Sequence, residues 1–254
     1  MKKFLSTFFA FFISIPGAFA SVIDGINVGP AGSNVFQIGS IWEGLVSTPG
    51  QHLQGIGFID SIKLESDSTI LWQSGDNSRQ LGFTFDYILA SINVITPTIS
   101  QYNFTTGVLQ FYSMANGTFE SDGNLANDIS KIQAGQLFLD LTGANFTGTV
   151  VGSPTVFTGL GSGFLDVIGN AGSANAVFDT DSKFDGSIFH DMLFNSSFTT
   201  SAPGTFYPIV GSIDIYGNTN EINEPKPLSL LLLGLGLIGI GSYTNKKKFK
   251  FNIA

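Results

Sequence analysis

Residues 80–87 read Gln80-Leu81-Gly82-Phe83-Thr84-Phe85-Asp86-Tyr87, with larger apolar side chains at every second position. Successive side chains of a strand point to opposite faces, so this period of two marks a strand with one buried face. Working outward, the same texture recurs at residues 35–46, 55–64, 102–112, 136–141, 163–168, 187–198 and 206–216, all rich in Phe, Ile, Val, Thr and Tyr. Turn-forming clusters punctuate these runs: Thr48-Pro49-Gly50, Gly75-Asp76-Asn77, Asn116-Gly117, Ser121-Asp122-Gly123-Asn124 and Ala202-Pro203-Gly204. Short strands at regular spacing predict an all-β domain, an antiparallel β-sandwich of jelly-roll-like kind. One short helix is expected over 125–134, where Leu125, Ile129 and Ile132 fall on one face and Asn124 is placed to cap it. No internal repeat of fixed period is present, which argues against solenoids and propellers.

The chain has 254 residues, a formal charge of −8 and no cysteine. The missing cysteine excludes disulfide scaffolds, thiolate metal sites and thiol nucleophiles. Hydrophobic residues make up 43%, too many for a disordered chain, and only 12% are charged. Acidic and basic residues are unevenly spread. Between residues 21 and 224 there are 19 acidic side chains against four basic ones, Lys63, Arg79, Lys131 and Lys183, a formal −15. Such a body lacks the basic face that phosphate backbones need, so no nucleic-acid partner is expected.

The remaining lysines cluster at the two ends. Met1-Lys2-Lys3, an apolar run from Phe4 to Ile15 and Ala18-Phe19-Ala20 have the layout of a secretory signal over residues 1–20. Small residues at Ala18 and Ala20 suit a signal peptidase cutting between Ala20 and Ser21, and the alternatives are a buried N-terminal helix or an uncleaved membrane anchor. The acidic β domain occupies residues 21–222. A tail over 223–254 then opens with Asn223-Glu224-Pro225-Lys226-Pro227 and continues as sixteen uncharged residues, 228–243. These are expected to form a single transmembrane helix of about 24 Å, short for a bilayer core of ~30 Å but helped by snorkelling lysines. Lys246, Lys247, Lys248 and Lys250 flank it and would hold the C-terminus in the cytoplasm, leaving the body outside.

This tail resembles the PEP-CTERM sorting signal of Gram-negative bacteria. Glu224 and Pro225 match the short motif, Gly234-Leu235-Gly236-Leu237 matches the helix style, and Asn223 departs from it where a first proline usually stands. The resemblance implies a membrane-anchored intermediate, cut near Glu224 and Pro225 by an exosortase-like membrane protease and passed to the cell surface or extracellular matrix. The alternative is a permanent anchor. The body is similar, more faintly, to flocculation-associated PEP-CTERM proteins, through 159–167 (GLGSGFLDV), 176–180 (AVFDT) and 193–199 (LFNSSFT). That likeness implies a role in matrix and cell aggregation and carries over no catalytic residue.

Chemistry-bearing patterns are sparse. His52 and His190 are the only histidines, no Gly-x-Ser-x-Gly elbow accompanies them, and neither a phosphate-binding loop nor a dinucleotide fingerprint occurs. The five glutamates, Glu43, Glu65, Glu120, Glu221 and Glu224, single out no hydrolytic pair. Asp179, Asp181 and Asp185 share one loop and make a calcium site conceivable. Lys183 in the third acidic place and the missing bidentate glutamate favour an ordinary turn.

These readings predict a non-enzymatic surface or matrix protein associated with exopolysaccharide. The alternatives are a carbohydrate-binding module presenting Trp42, Trp72, Tyr87, Tyr102 and Tyr112, and, behind it, a secreted hydrolase.

Overall fold

A computed structural model describes residues 20–153, 155–202 and 205–220. Ala18 of the expected signal, Glu224 and Pro225 of the expected sorting motif, the expected membrane helix and Lys246, Lys247, Lys248 and Lys250 lie outside the described residues. Among the described residues no helix is long and apolar enough to cross a membrane.

The chain is all-β and antiparallel, as its alternation predicts. The strands in chain order are β1 (Ala20–Ile23), β2 (Ile26–Pro30), β3 (Asn34–Glu43), β4 (His52–Leu64), β5 (Ile70–Gln73), β6 (Arg79–Thr96), β7 (Ile99–Phe104) and β8 (Gly107–Ala115). Helix α1 (Leu125–Gln133) follows, then β9 (Gln136–Gly152), β10 (Phe157–Val167), α2 (Asn175–Phe178), β11 (Lys183–Phe184), β12 (Phe189–His190), β13 (Met192–Thr200) and β14 (Ile209–Asn218).

The pairing corrects the expected sandwich. Instead of two stacked sheets, one sheet runs as a meander and its ends meet: β14 pairs with β3 from Ile209↔Glu43 to Asn218↔Asn34. β4 pairs with both β3 and β6, so the ring passes through β3, β4, β6, β7 with β8, β9, β10, β13 and β14 and returns. β7 and β8 lie end to end between β6 and β9, parted at Thr105 and Thr106, and count as one stave. The result is an up-and-down barrel of eight staves. Alternation is the same for a sandwich strand and a barrel stave, because each buries one face; only the partner of the last strand separates the two.

Large apolar side chains point inward. Leu81, Phe83, Phe85, Tyr87 and Leu89 of β6 are buried, while Thr84, Asp86 and Ile88 occupy the other face. Outward positions on β10, β13 and β14 carry Thr158, Ser162, Asn195, Ser197, Ser212 and Asp214. This polar exterior reverses the pattern of membrane-spanning barrels, whose outer face is an apolar band.

Glycines on the inner face make room for the rings. A Cβ on Gly55 would lie 2.1 Å from the Phe85 ring, and one on Gly57 2.1 Å from the Phe83 ring. Only a residue without a side chain lets an aromatic ring from the next stave lie so close.

Helix α1 lies across the outside of β4, β6 and β8. Ile132 is fully buried there, in a satellite cluster with Ile56, Tyr112, Met114 and Tyr207. Asn124 caps the helix by accepting from the Asn127 N–H at 3.2 Å. One end of the barrel is plugged: Ile26 and Val28 of β2, Trp72 of β5 and Phe178 of α2 are buried in the main core. The other end is open.

Candidate functional site

The open end leads into a cavity of about 360 Å³ inside the barrel. Its walls come from the C-terminal halves of β3 and β9, the middle of β6, the starts of β4, β8, β10 and β14, and the length of β7 and β13. Phe85 and Tyr87 of β6, Phe146 of β9 and Phe194 of β13 form a continuous aromatic floor. Tyr87 stacks on Phe146 with centroids 4.5 Å apart, and Phe146 meets Phe194 at 5.1 Å. The alternation that makes each segment a strand directs these rings into the same space.

Residues 44–51, 97–98, 153 and 155–156 form the mouth. They and the adjoining strand ends present exposed apolar side chains to solvent, among them Leu45, Val94, Ile95 and Val156. Single exposed apolar residues are ordinary on a protein surface, but several at one opening suit the passage of an apolar molecule.

Glu43 and Tyr87 join the hydroxyls of Ser47, Thr98, Ser100, Thr147, Ser153 and Ser196 in an otherwise apolar lining. Glu43, at the end of β3, is 6% exposed, and none of the described residues hydrogen-bonds its carboxyl. Burial pushes its pKa up to about 7, because a charged carboxylate is poorly solvated there. The Tyr87 hydroxyl is buried and without a protein partner. Burial pushes its pKa well above the usual phenol value, so it stays a hydrogen-bond donor. Among the described residues the lining holds no Lys, Arg or His. A signal for Glu43 was present in the sequence: counting by two from Val35 and Ile41 places it on the inward face of β3. Nothing local indicated that the cavity would open beside it.

The other candidate residues lie elsewhere. Ala20 heads β1, paired with Pro30, and a cut after it leaves Ser21–Ile23 in the strand. Asp179, Asp181 and Asp185 are not gathered around a common point, and no group of three acidic or histidine side chains among the described residues is placed to hold a metal ion. Asp185 is occupied locally. One of its oxygens accepts from the N–H groups of Ser187 and Ile188, and the other from Asn145 at 2.9 Å and His190 at 3.3 Å. The organising carboxylate of this loop is Asp191, buried and accepting from the backbone of Val167, Thr180 and Asp181 at 2.5–2.8 Å.

His190 is buried, stacked on Phe164 and bonded through Nδ1 to Asp166 at 2.9 Å. Burial alone would lower its pKa, but the carboxylates of Asp166 and Asp185 outweigh that and raise it. His52 pairs with Asp86 at 2.7 Å on the barrel's exterior. Neither histidine lines the cavity.

The aromatic residues considered for sugar binding do not share one exposed face. Trp72 is buried at the plugged end, Tyr112 packs under α1, Tyr87 and Tyr102 line the cavity, and half-buried Trp42 meets Phe58 edge-on.

Comparison with protein-family models, curated proteins and solved structures finds no match for this chain.

Proposed function

We propose that the chain is an exported, non-enzymatic binding protein whose barrel holds a small apolar molecule. One observation carries this reading: an aromatic-floored cavity inside the barrel, open at one end. Eight staves enclose an interior that side chains can just fill or that can take one small ligand. Here the plugged end is filled and the open half is left as a cup. A concave, mostly apolar site with a few convergent polar groups is the usual form of a small-molecule site.

The place of action follows from the ends of the chain. The N-terminal signal would send the body across the inner membrane of a Gram-negative bacterium. The PEP-CTERM-like tail would then hold it at the membrane until an exosortase-like protease releases it to the cell surface or matrix. The acidic exterior, −15 over residues 21–224, would keep the body dispersed beside anionic exopolysaccharide.

Native and denaturing mass spectrometry of protein recovered from the cell surface and medium tests both parts. The expected denatured mass corresponds to a chain from Ser21 to near Glu224, and the native mass exceeds it by a small molecule that extracts into organic solvent. A protein that carries no such mass and takes up no apolar fluorescent dye would refute the binding reading. An intact tail would refute the processing.

A further inference from the structure

We propose that the open end of the barrel docks on an uncharged lipid surface, through exposed aliphatic side chains on two adjacent hairpin tips, and that the cup exchanges its ligand there. The inference rests on the reading of the barrel as a cup for an apolar molecule and adds the surface from which such a molecule is drawn.

Charge is distributed unevenly along the barrel axis. The strand ends and turns at the open end fall in stretches without Asp, Glu, Lys or Arg: 44–59, 87–119, 141–165 and 192–213. Glu43 is buried in the lining. The other acidic side chains of the staves, Asp60, Asp86, Asp140, Asp166 and Asp214, stand at mid-strand or nearer the plugged end. A body with 19 acidic side chains over residues 21–224 thus presents one end with almost none.

That end is also apolar. Ile99 of β7 pairs with Val151 of β9, and the Gly152 N–H donates to the Thr98 carbonyl at 2.9 Å. The tip of the β6–β7 hairpin therefore stands beside that of the β9–β10 hairpin. Val94 and Ile95 of the first tip, Val151 and Val156 of the second, and Leu45 after β3 are 44–73% exposed. Leu45, Pro97, Thr98, Gly152 and Ser153 also line the cavity, so the exposed collar runs directly into the cup. Scattered exposed aliphatics are ordinary, but five around one opening in an uncharged rim form a patch.

The chemistry of the collar selects its partner. Anionic membranes recruit proteins through Lys and Arg. The four basic side chains of the body lie elsewhere: Lys63 near the end of β4, Arg79 at the start of β6, Lys183 in β11, and Lys131 on α1 beside Asp122 and Asp128. An anionic surface would repel the body instead. Protein interfaces are anchored by Trp, Tyr and Arg, and the collar offers aliphatic side chains among small hydroxyls. Narrow tips of this kind gain most by entering the headgroup boundary, about 5–10 Å deep. They go no deeper, because the backbone groups of a turn need water. With the mouth on lipid, an apolar molecule passes from the acyl chains to the aromatic floor without crossing water.

The barrel closes and buries its core within residues 20–220, so the body alone, residues 21–222, serves for the test. It is floated with vesicles of phosphatidylcholine and of phosphatidylcholine mixed with phosphatidylglycerol. Flotation is expected with the neutral vesicles and should decline with the anionic ones, most of all at low salt. Val94→Asn combined with Ile95→Asn should weaken it about tenfold, leaving the melting temperature and lipid-free uptake of an apolar dye unchanged. The chain has no cysteine, so a polarity-sensitive fluorophore can be attached singly, through Thr96→Cys at the tip or Ser66→Cys at the plugged end. Neutral vesicles should shift its emission to the blue at the first site only. No flotation, flotation unmoved by the double substitution, or a blue shift at the second site alone would overturn the docking. Stronger flotation with anionic vesicles would overturn the choice of lipid. A dimer that the double substitution abolishes, with no lipid binding, would assign the collar to a second copy and overturn the proposal. Dye uptake without flotation would leave the cup standing, whereas flotation without dye uptake would remove the cup and with it the exchange.

Discussion

Glu43 shows how a single residue couples the cavity to stability. Its carboxyl pKa is about 7 in the folded protein against 4.5 for an ordinary glutamate, so the folded state holds a proton that the unfolded state releases. Where the folded state binds more protons, stability falls as pH rises. The penalty builds from pH 4.5 and is complete above pH 7, amounting to about 3 kcal/mol. Glu43→Gln should therefore lose this slope and be more stable than the unsubstituted protein above neutrality. Urea midpoints across that range check it, and parallel curves for the two proteins would contradict the assignment. Nearby glycines carry information of another kind. Gly55 and Gly57, inside an expected strand, and Gly143, in a turn-like stretch, each lie beneath an aromatic ring in the barrel. No local pattern separates a glycine that bends the chain from one that makes room for a ring.

At the scale of elements, helix α1 is where local rules worked best. Its expected span, 125–134, its cap Asn124 and its apolar stripe reappear in the structure over Leu125–Gln133. The sequence did not reveal Asp128, which faces inward from this helix. Burial alone would raise its pKa, but donation from Ser121, Tyr207, Lys131 and the Asp122 N–H holds it near 2. A depressed carboxylate contributes stability above its unfolded pKa and loses it as pH falls through the folded one. About 2 kcal/mol should thus disappear between pH 3.8 and pH 2, and Asp128→Asn should lack that loss. Thermal melts over this acid range provide the check, and identical acid slopes would count against the network.

Strand boundaries were less legible. The expected strand 136–141 continues to Gly152 through Thr142-Gly143-Ala144-Asn145, a stretch whose composition resembles a turn. The expected strand 102–112 is broken at Thr105 and Thr106 into β7 and β8, because β6 and β9 each pair with both pieces in succession. β1, β2 and β5, which help plug the closed end, are too short for alternation to reveal them.

At the largest scale, the barrel-bearing body is strongly acidic. With 19 acidic and four basic side chains over residues 21–224, mutual repulsion opposes compactness. Raising ionic strength from about 0.01 M to about 0.15 M shortens the screening length from ~30 Å to ~8 Å, so the melting temperature should rise over that interval. A fall would mean that specific ion pairs outweigh the overall repulsion.

The sequence by itself determined the strand class, the antiparallel turns, the capped helix and the acidity of the body. These properties depend on residues close together in the chain, where period, turn chemistry and charge act directly. Only the tertiary structure decided between sandwich and barrel. That choice rests on β14 meeting β3 across most of the chain length, and no period or turn encodes such a contact. Closure in turn made the inward face of each stave a shared interior. Glu43 and Tyr87, far apart in sequence and unremarked by any motif, line one cavity because closing a sheet converts a face of each strand into a common wall.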